Sequence, residues 1–173
     1  MPKIRLLLIW FGANDSVLPS KVQYVPLDDF KTNLAELARL VTSPESEYHN
    51  PDTRVILLTP PPVNTQQRGA DLSSRNPPQE NDRAFENTAK YAEAVREVAR
   101  QEKLPIVDVY SRLWEGCGKK EGNLTKYLTD GLHVNEDAYK VRRQYFLQFT
   151  TIVDILQIVD LQGHHRNDFR TLP

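Results

Sequence analysis

At 173 residues with near-average apolar content, the chain is long enough for one compact domain with its own core and short for two. Its 22 basic and 23 acidic residues are spread along the whole length and leave a net charge of -1, with no electrostatic footprint for nucleic acid or an anionic membrane; a small neutral substrate fits better. The single cysteine, Cys117, excludes intramolecular disulfides and an all-cysteine zinc site, and suits a reducing compartment, by default the cytoplasm.

The opening residues carry a short apolar run, but Gly12, Asn14 and Asp15 follow with no small-residue cleavage site, so no signal peptide is expected. No apolar run approaches the roughly 20 residues of a membrane-spanning helix. The Asn-Leu-Thr sequon at Asn123 matters only in a secreted protein and is read as chance.

Residues 4 to 11, Ile-Arg-Leu-Leu-Leu-Ile-Trp-Phe, form a nearly unbroken apolar run ending at a glycine, which predicts a strand buried on both faces of a parallel sheet. Leu27, Phe30, Leu34, Leu37, Ala38 and Val41 then recur at helical spacing, with Asp28 and Asp29 placed to cap the helix and favour its N-terminus. Arg54 to Thr59 gives a second buried strand stopped by Pro60, Pro61 and Pro62. The polar stretch from Val63 to Asp82 reads as a long loop, either a lid or mobile surface. Phe85, Ala89, Tyr91, Ala92, Val95, Val98 and Ala99 mark an amphipathic helix that packs on the sheet and ends at Leu104-Pro105. Ile106 to Val109 predicts a third strand, Tyr110 to Trp114 a short helix, 116 to 122 a loop, and 123 to 135 a loop leading into a helix near 136 to 149. From Thr150 an apolar helical run turns polar around His164 and His165, giving a frayed tail over 150–173.

Strand alternating with helix argues for an α/β domain built on a parallel sheet flanked by helices. Functional groups of such sheets gather at the carboxyl ends of the strands, where Gly12 to Asp15 and Pro60 to Val63 both fall. Two short patterns there and downstream can carry chemistry. In Gly12-Ala13-Asn14-Asp15 an asparagine amide can offer an N–H to a developing oxyanion, although the tetrapeptide alone is also an ordinary turn. In Asp130-Gly131-Leu132-His133 a carboxylate three residues before an imidazole can fix its tautomer and free Nε2 to accept a proton; a solvated histidine on a turn is the plainer alternative.

Taken together, in this order, the two patterns resemble the third and last blocks of the SGNH/GDSL hydrolase family. The likeness extends to its isoamyl-acetate-hydrolysing esterase branch through Trp10 to Asp15, Leu18-Pro19, Val25-Pro26-Leu27, Leu58 to Val63 and Tyr127 to His133, and covers roughly residues 4 to 140. The resemblance implies Asn14 as an oxyanion-hole donor, His133 as general base and Asp130 as its orienting partner. It also implies a serine acyl-enzyme route on small esters, with neither cofactor nor metal. Trp10, Gly12, Pro61 and Val63 become candidates for the substrate pocket, although Trp10 and Phe11 also read as core and the prolines as a strand exit. His49, His164 and His165 lack ligand-like partners at metal spacing.

The family's Gly-Asp-Ser block and its second-block glycine have no counterpart in the sequence. Ser16, beside the Asn-Asp pair, breaks the block order and does not replace the nucleophile. The economical expectation is an N-terminally shortened chain: 1–149 as a partial hydrolase domain carrying strands 3, 4 and 5 of a flavodoxin-like 2-1-3-4-5 sheet, inactive alone. Strand 4 to 11 then lacks a neighbour and is a site for self-association. The competing expectation is a non-catalytic remnant that binds a ligand or partner.

Overall fold

The computed structural model describes residues 4–141. Within them the chain runs β1 (Leu6–Ile9), α1 (Leu27–Thr42), β2 (Arg54–Leu58), α2 (Thr65–Ser73), α3 (Phe85–Gln101), β3 (Ile106–Val107), α4 (Val109–Gly116) and a 3-10 helix at Glu121–Lys126. A further helical stretch occupies 136–141. The expected tail over 150–173, and the end of the helix expected near 136 to 149, lie outside the described residues.

The three strands form one parallel sheet in the order β1-β2-β3, with Leu7 opposite Val55 and Leu57 opposite Ile106. Successive side chains of a strand point to opposite faces, and β2 shows the result. Val55 and Leu57 join Phe30 and Leu34 of α1 and Tyr91, Val95 and Val98 of α3 on one face. Ile56 and Leu58 join Leu113 of α4, Leu124, Leu128 and Ala138 on the other. The central strand is therefore covered twice, as its unbroken apolar run requires.

At the edge of the sheet, β1 is covered once. Ile9 is buried and Leu7 packs against the α1–α3 layer, but Leu6 and Leu8 remain 37% and 41% exposed. The expectation of a strand buried on both faces is corrected accordingly: the helical layer under β2 and β3 does not extend beneath β1. Phe11, also read as core, is 53% exposed.

Three local expectations change as well. Pro26, not an aspartate, is the N-cap of α1, and Asp28 and Asp29 lie in its first turn, where they complement the helix dipole without capping hydrogen bonds. The stretch from Val63 to Asp82 is not one long loop, because it contains α2, whose N-cap Asn64 accepts a hydrogen bond from Gln67 N at 3.0 Å. The third strand stops at Val107, since Asp108 turns the chain into α4 by accepting from Ser111 N at 3.1 Å.

Candidate active site

Parallel strands deliver their C-terminal exits to one edge, where Gly12 after β1 meets Pro60 after β2. After β1 the backbone turns at Gly12, whose φ of +104° suits glycine; an added Cβ would lie 3.1 Å from Pro60 Cγ. Asp15 Oδ2 accepts from Gly12 N at 2.9 Å and Ser16 N donates to Gly12 O at 3.1 Å, a closed turn that leaves Asn14 exposed. Ser16 is fully buried, its Oγ donating to Ala13 O at 3.2 Å and lying 3.4 Å from Thr88 Oγ1. A hydroxyl so enclosed has no access to a substrate.

The second element is a tight reversal over 127–135. Leu128 bridges Val134 in antiparallel fashion, and Thr129 N donates to His133 O at 2.9 Å, which puts Asp130 to His133 at the tip. Asp130 Oδ1 accepts from the backbone N–H of Leu132 at 3.1 Å and of His133 at 2.8 Å. Its Oδ2 lies 2.9 Å from His133 Nδ1. An ionised carboxylate only accepts, so Nδ1 carries the proton and Nε2 is left free to take one. Burial alone pushes the Asp130 carboxyl upward, but the hydrogen bonds from His133 and Leu132, with the His133 charge, hold it down at about 2. The imidazole is open to solvent, with its side chain 71% exposed.

What fixes this tip is the start of α2, a segment the sequence presented as loop. Asn64 N donates to Gly131 O at 2.9 Å, and Gln67 Nε2 donates to the carbonyls of Leu128 and Thr129 at 3.2 and 3.1 Å. Arg68, with a side chain only 7% exposed, donates from Nη1 to Asp130 Oδ2 at 2.8 Å and from Nε to Asp82 Oδ1 at 3.1 Å. Asp82 in turn accepts from Leu18 N through its backbone carbonyl at 3.0 Å. A continuous set of polar contacts thus runs from the segment just past Asn14, through Asp82 and Arg68, to Asp130 and His133. No hydrogen bond joins Asn14 to His133 directly among the described residues. Asn64, Gln67, Arg68 and Asp82 were missed from sequence, where no motif or apolar period marks them.

The pocket candidates divide. Trp10 is half-buried, donates from Nε1 to Thr59 O at 2.9 Å and meets Tyr139 edge-on. Gly12, Pro61 and Val63 are buried. Among the described residues no cluster of three His, Cys, Asp or Glu side chains is placed to hold a metal ion.

A sequence model of the GDSL-like lipase/acylhydrolase family matches residues 2–141, most of the chain. The chain belongs to that family. Similar proteins include an isoamyl acetate-hydrolyzing esterase 1 homolog of Rattus norvegicus, 32% identical over 73% of this chain and 48% of its own length. A GDSL esterase/lipase of Arabidopsis thaliana is 30% identical over 77% of this chain and 53% of its own. The chain therefore spans about half the length of the curated relatives it matches.

Among solved structures, a lipase/acylhydrolase from Enterococcus faecalis superposes with a TM-score of 0.58 at 22% identity, over 83% of this chain and 60% of that one. An acetylxylan esterase from Geobacillus stearothermophilus gives 0.57 at 20% identity, over 83% and 58%. At these identities the likeness establishes the fold: the three-stranded parallel sheet with flanking helices is that of the GDSL acylhydrolases, over somewhat more than half of their chains. No described helix is long and apolar enough to cross a membrane.

Proposed function

We propose that residues 1–149 form the base-bearing and oxyanion-bearing part of a carboxylic-ester hydrolase for small esters, working through a serine acyl-enzyme in the cytoplasm. The observation that carries this reading is the Asp130–His133 pair. One carboxylate oxygen is saturated by two backbone N–H groups, the other faces Nδ1 at 2.9 Å, and the ring opens to solvent. His133 Nε2 takes the proton of a serine hydroxyl as that oxygen attacks the ester carbonyl, and Asp130 steadies the imidazolium. The Asn14 amide donates to the oxyanion of the tetrahedral intermediate. On collapse, the leaving alkoxide receives the proton from His133; water then repeats the sequence to free the acid. The nucleophile belongs to a segment preceding residue 1, since Ser16 is enclosed and no other residue stands in the family's Gly-Asp-Ser context.

The test joins the in-frame upstream segment to this chain and measures hydrolysis of p-nitrophenyl acetate. The 173-residue chain alone gives next to no turnover. The extended chain is active, and loses on the order of 10²–10³-fold in kcat with Asn14→Ala and at least as much with His133→Ala. An extended chain that is inactive, or active without need of His133, overturns the proposal.

A second reading, a non-catalytic remnant that binds a partner or itself, is favoured by one feature: the edge strand β1 with Leu6 and Leu8 exposed along it and Phe11 exposed just past its end. It predicts association that persists whether or not the upstream segment encodes Gly-Asp-Ser.

A further inference from the structure

The carboxylate that orients His133 has a second cationic partner that no sequence motif announces. Arg68 Nη1 and His133 Nδ1 approach the same oxygen, Oδ2 of Asp130, at 2.8 and 2.9 Å. Arg68 is not loosely placed. Its Nε and Nη2 donate to the two oxygens of Asp82 at 3.1 and 3.3 Å, Asp71 Oδ2 lies 3.5 Å from Nη1, and its backbone N–H is bonded to Asn64 O at 2.9 Å. A planar guanidinium held on one edge by a carboxylate presents its remaining donor in a fixed direction.

We propose that Arg68 is a positioning residue for the Asp130–His133 pair, pinning Oδ2 of Asp130 in line with Nδ1 and drawing on that oxygen's charge. Its catalytic meaning rests on His133 being the base of the hydrolase proposed above. Without Arg68, two backbone donors still hold Oδ1, but Oδ2 is steered only by the imidazole it is supposed to orient. Hydrogen bonds to charged groups that form such shared networks are directional and mutually dependent. The charged groups around the pair come from each packed element: Asp71 from α2 with Arg75 just past its end, Asp82 and Arg83 from the segment before α3, and Glu121 from the 3-10 helix, which faces the first turn of α2 through Thr65. Their signs nearly cancel. Removing Arg68 alone therefore leaves an excess of negative charge near Asp130, and removing Asp82 alone does the opposite.

That opposition makes the test. The ring ¹⁵N signals of His133 and the carboxyl ¹³C signal of Asp130 are followed against pH in the full 173-residue chain and in Arg68→Gln, Arg68→Lys and Asp82→Asn. Arg68→Gln raises the Asp130 midpoint by about one pH unit and mixes the two imidazole tautomers. Arg68→Lys keeps the charge and leaves the midpoint near that of the parent. Asp82→Asn leaves it at or below its starting point. If both the Gln and Asn variants raise the midpoint alike, Arg68 is merely part of the packing and the proposal fails; it fails equally if Arg68→Gln changes neither signal. Should Arg68→Gln not fold, the remaining pair decides: a midpoint raised in both overturns the assignment, and one raised in neither supports it. None of these signals depends on turnover. An inactive extended chain sinks the hydrolase reading without moving them, whereas unmoved signals in an active enzyme sink only the role of Arg68.

Discussion

Gly131→Ala is the sharpest perturbation of the Asp130–His133 tip. Gly131 has a φ of +85°, and a Cβ built there would stand 2.4 Å from Arg68 N, 2.5 Å from Asn64 O and 2.9 Å from Arg68 Cα. All three neighbours are backbone atoms at the start of α2, so none can swing aside as a flexible side chain would. Placing alanine in a left-handed conformation costs about 1–2 kcal/mol. Forcing the tip away from α2 adds about 1–3 kcal/mol of overpacking and loosens the 2.9 Å bond from Asn64 N to Gly131 O, worth about 1 kcal/mol. The expected loss is about 3–6 kcal/mol, a large part of the stability of an ordinary domain. Urea unfolding reads it directly. Gly122→Ala is the control, because a Cβ there meets nothing within 4 Å, and it stays within about 0.5 kcal/mol of the parent. A Gly131→Ala variant as stable as that control, with its His133 signals unchanged, refutes the reasoning that α2 is the seat of the tip.

Other expectations follow from the same contacts. Asn64→Ala removes the α2 cap and lowers stability by about 1–2 kcal/mol in urea unfolding; an unchanged midpoint counts against the cap. Because the folded Asp130 carboxyl sits at about 2, below its usual 3.8, the stability it contributes is complete above about pH 4 and is lost as pH falls toward 2. After allowance for solvent screening that contribution is about 1–2 kcal/mol, and Asp130→Asn flattens this limb of the unfolding curve; parallel curves for the two proteins contradict it. The exposed side of β1 predicts that the purified chain self-associates and that Leu6→Lys with Leu8→Lys shifts it toward monomer in sedimentation. A parent that is already monomeric and melts cooperatively rules this out.

The sequence exposed the parts of the site whose partners are close in the chain. Asp130 and His133 are one turn apart, and Gly12 to Asp15 closes on itself, so motif and geometry coincide. The order of strands and helices was equally legible, since β2, α1 and α3 bury continuous or periodic apolar faces. Arg68 was not legible, because its partner Asp130 lies 62 positions away and nothing local marks either as the other's ligand. Nor was α2: its buried residues are Arg68 and Leu72, too few to impose an apolar period on a run of Gln, Gly, Ala and Asp. The misreading of β1 has a different origin. Apolar runs report what a strand is able to bury, whereas exposure depends on which helices reach it, a property of the whole layer.

Thr59 ties the strand ends together. Fully buried, it donates from Oγ1 to Asp108 at 3.1 Å, accepts there from Tyr110 N at 2.9 Å, accepts the Trp10 indole through its carbonyl and donates its own N–H to Val107 O at 3.2 Å. Thr59 as a whole therefore acts as a common rivet: its carbonyl holds Trp10 just past β1, and its hydroxyl and N–H hold Asp108, Tyr110 and Val107 around the exit of β3. The loop bearing Asn14 and the one entering α2 leave from a single anchorage, so strain arising in either is referred to the same knot of bonds instead of dissipating along its own strand. Thr59→Val preserves the shape of that rivet and removes its hydroxyl, which cuts the tie to Asp108 and Tyr110 while the backbone bonds to Trp10 and Val107 stay in place.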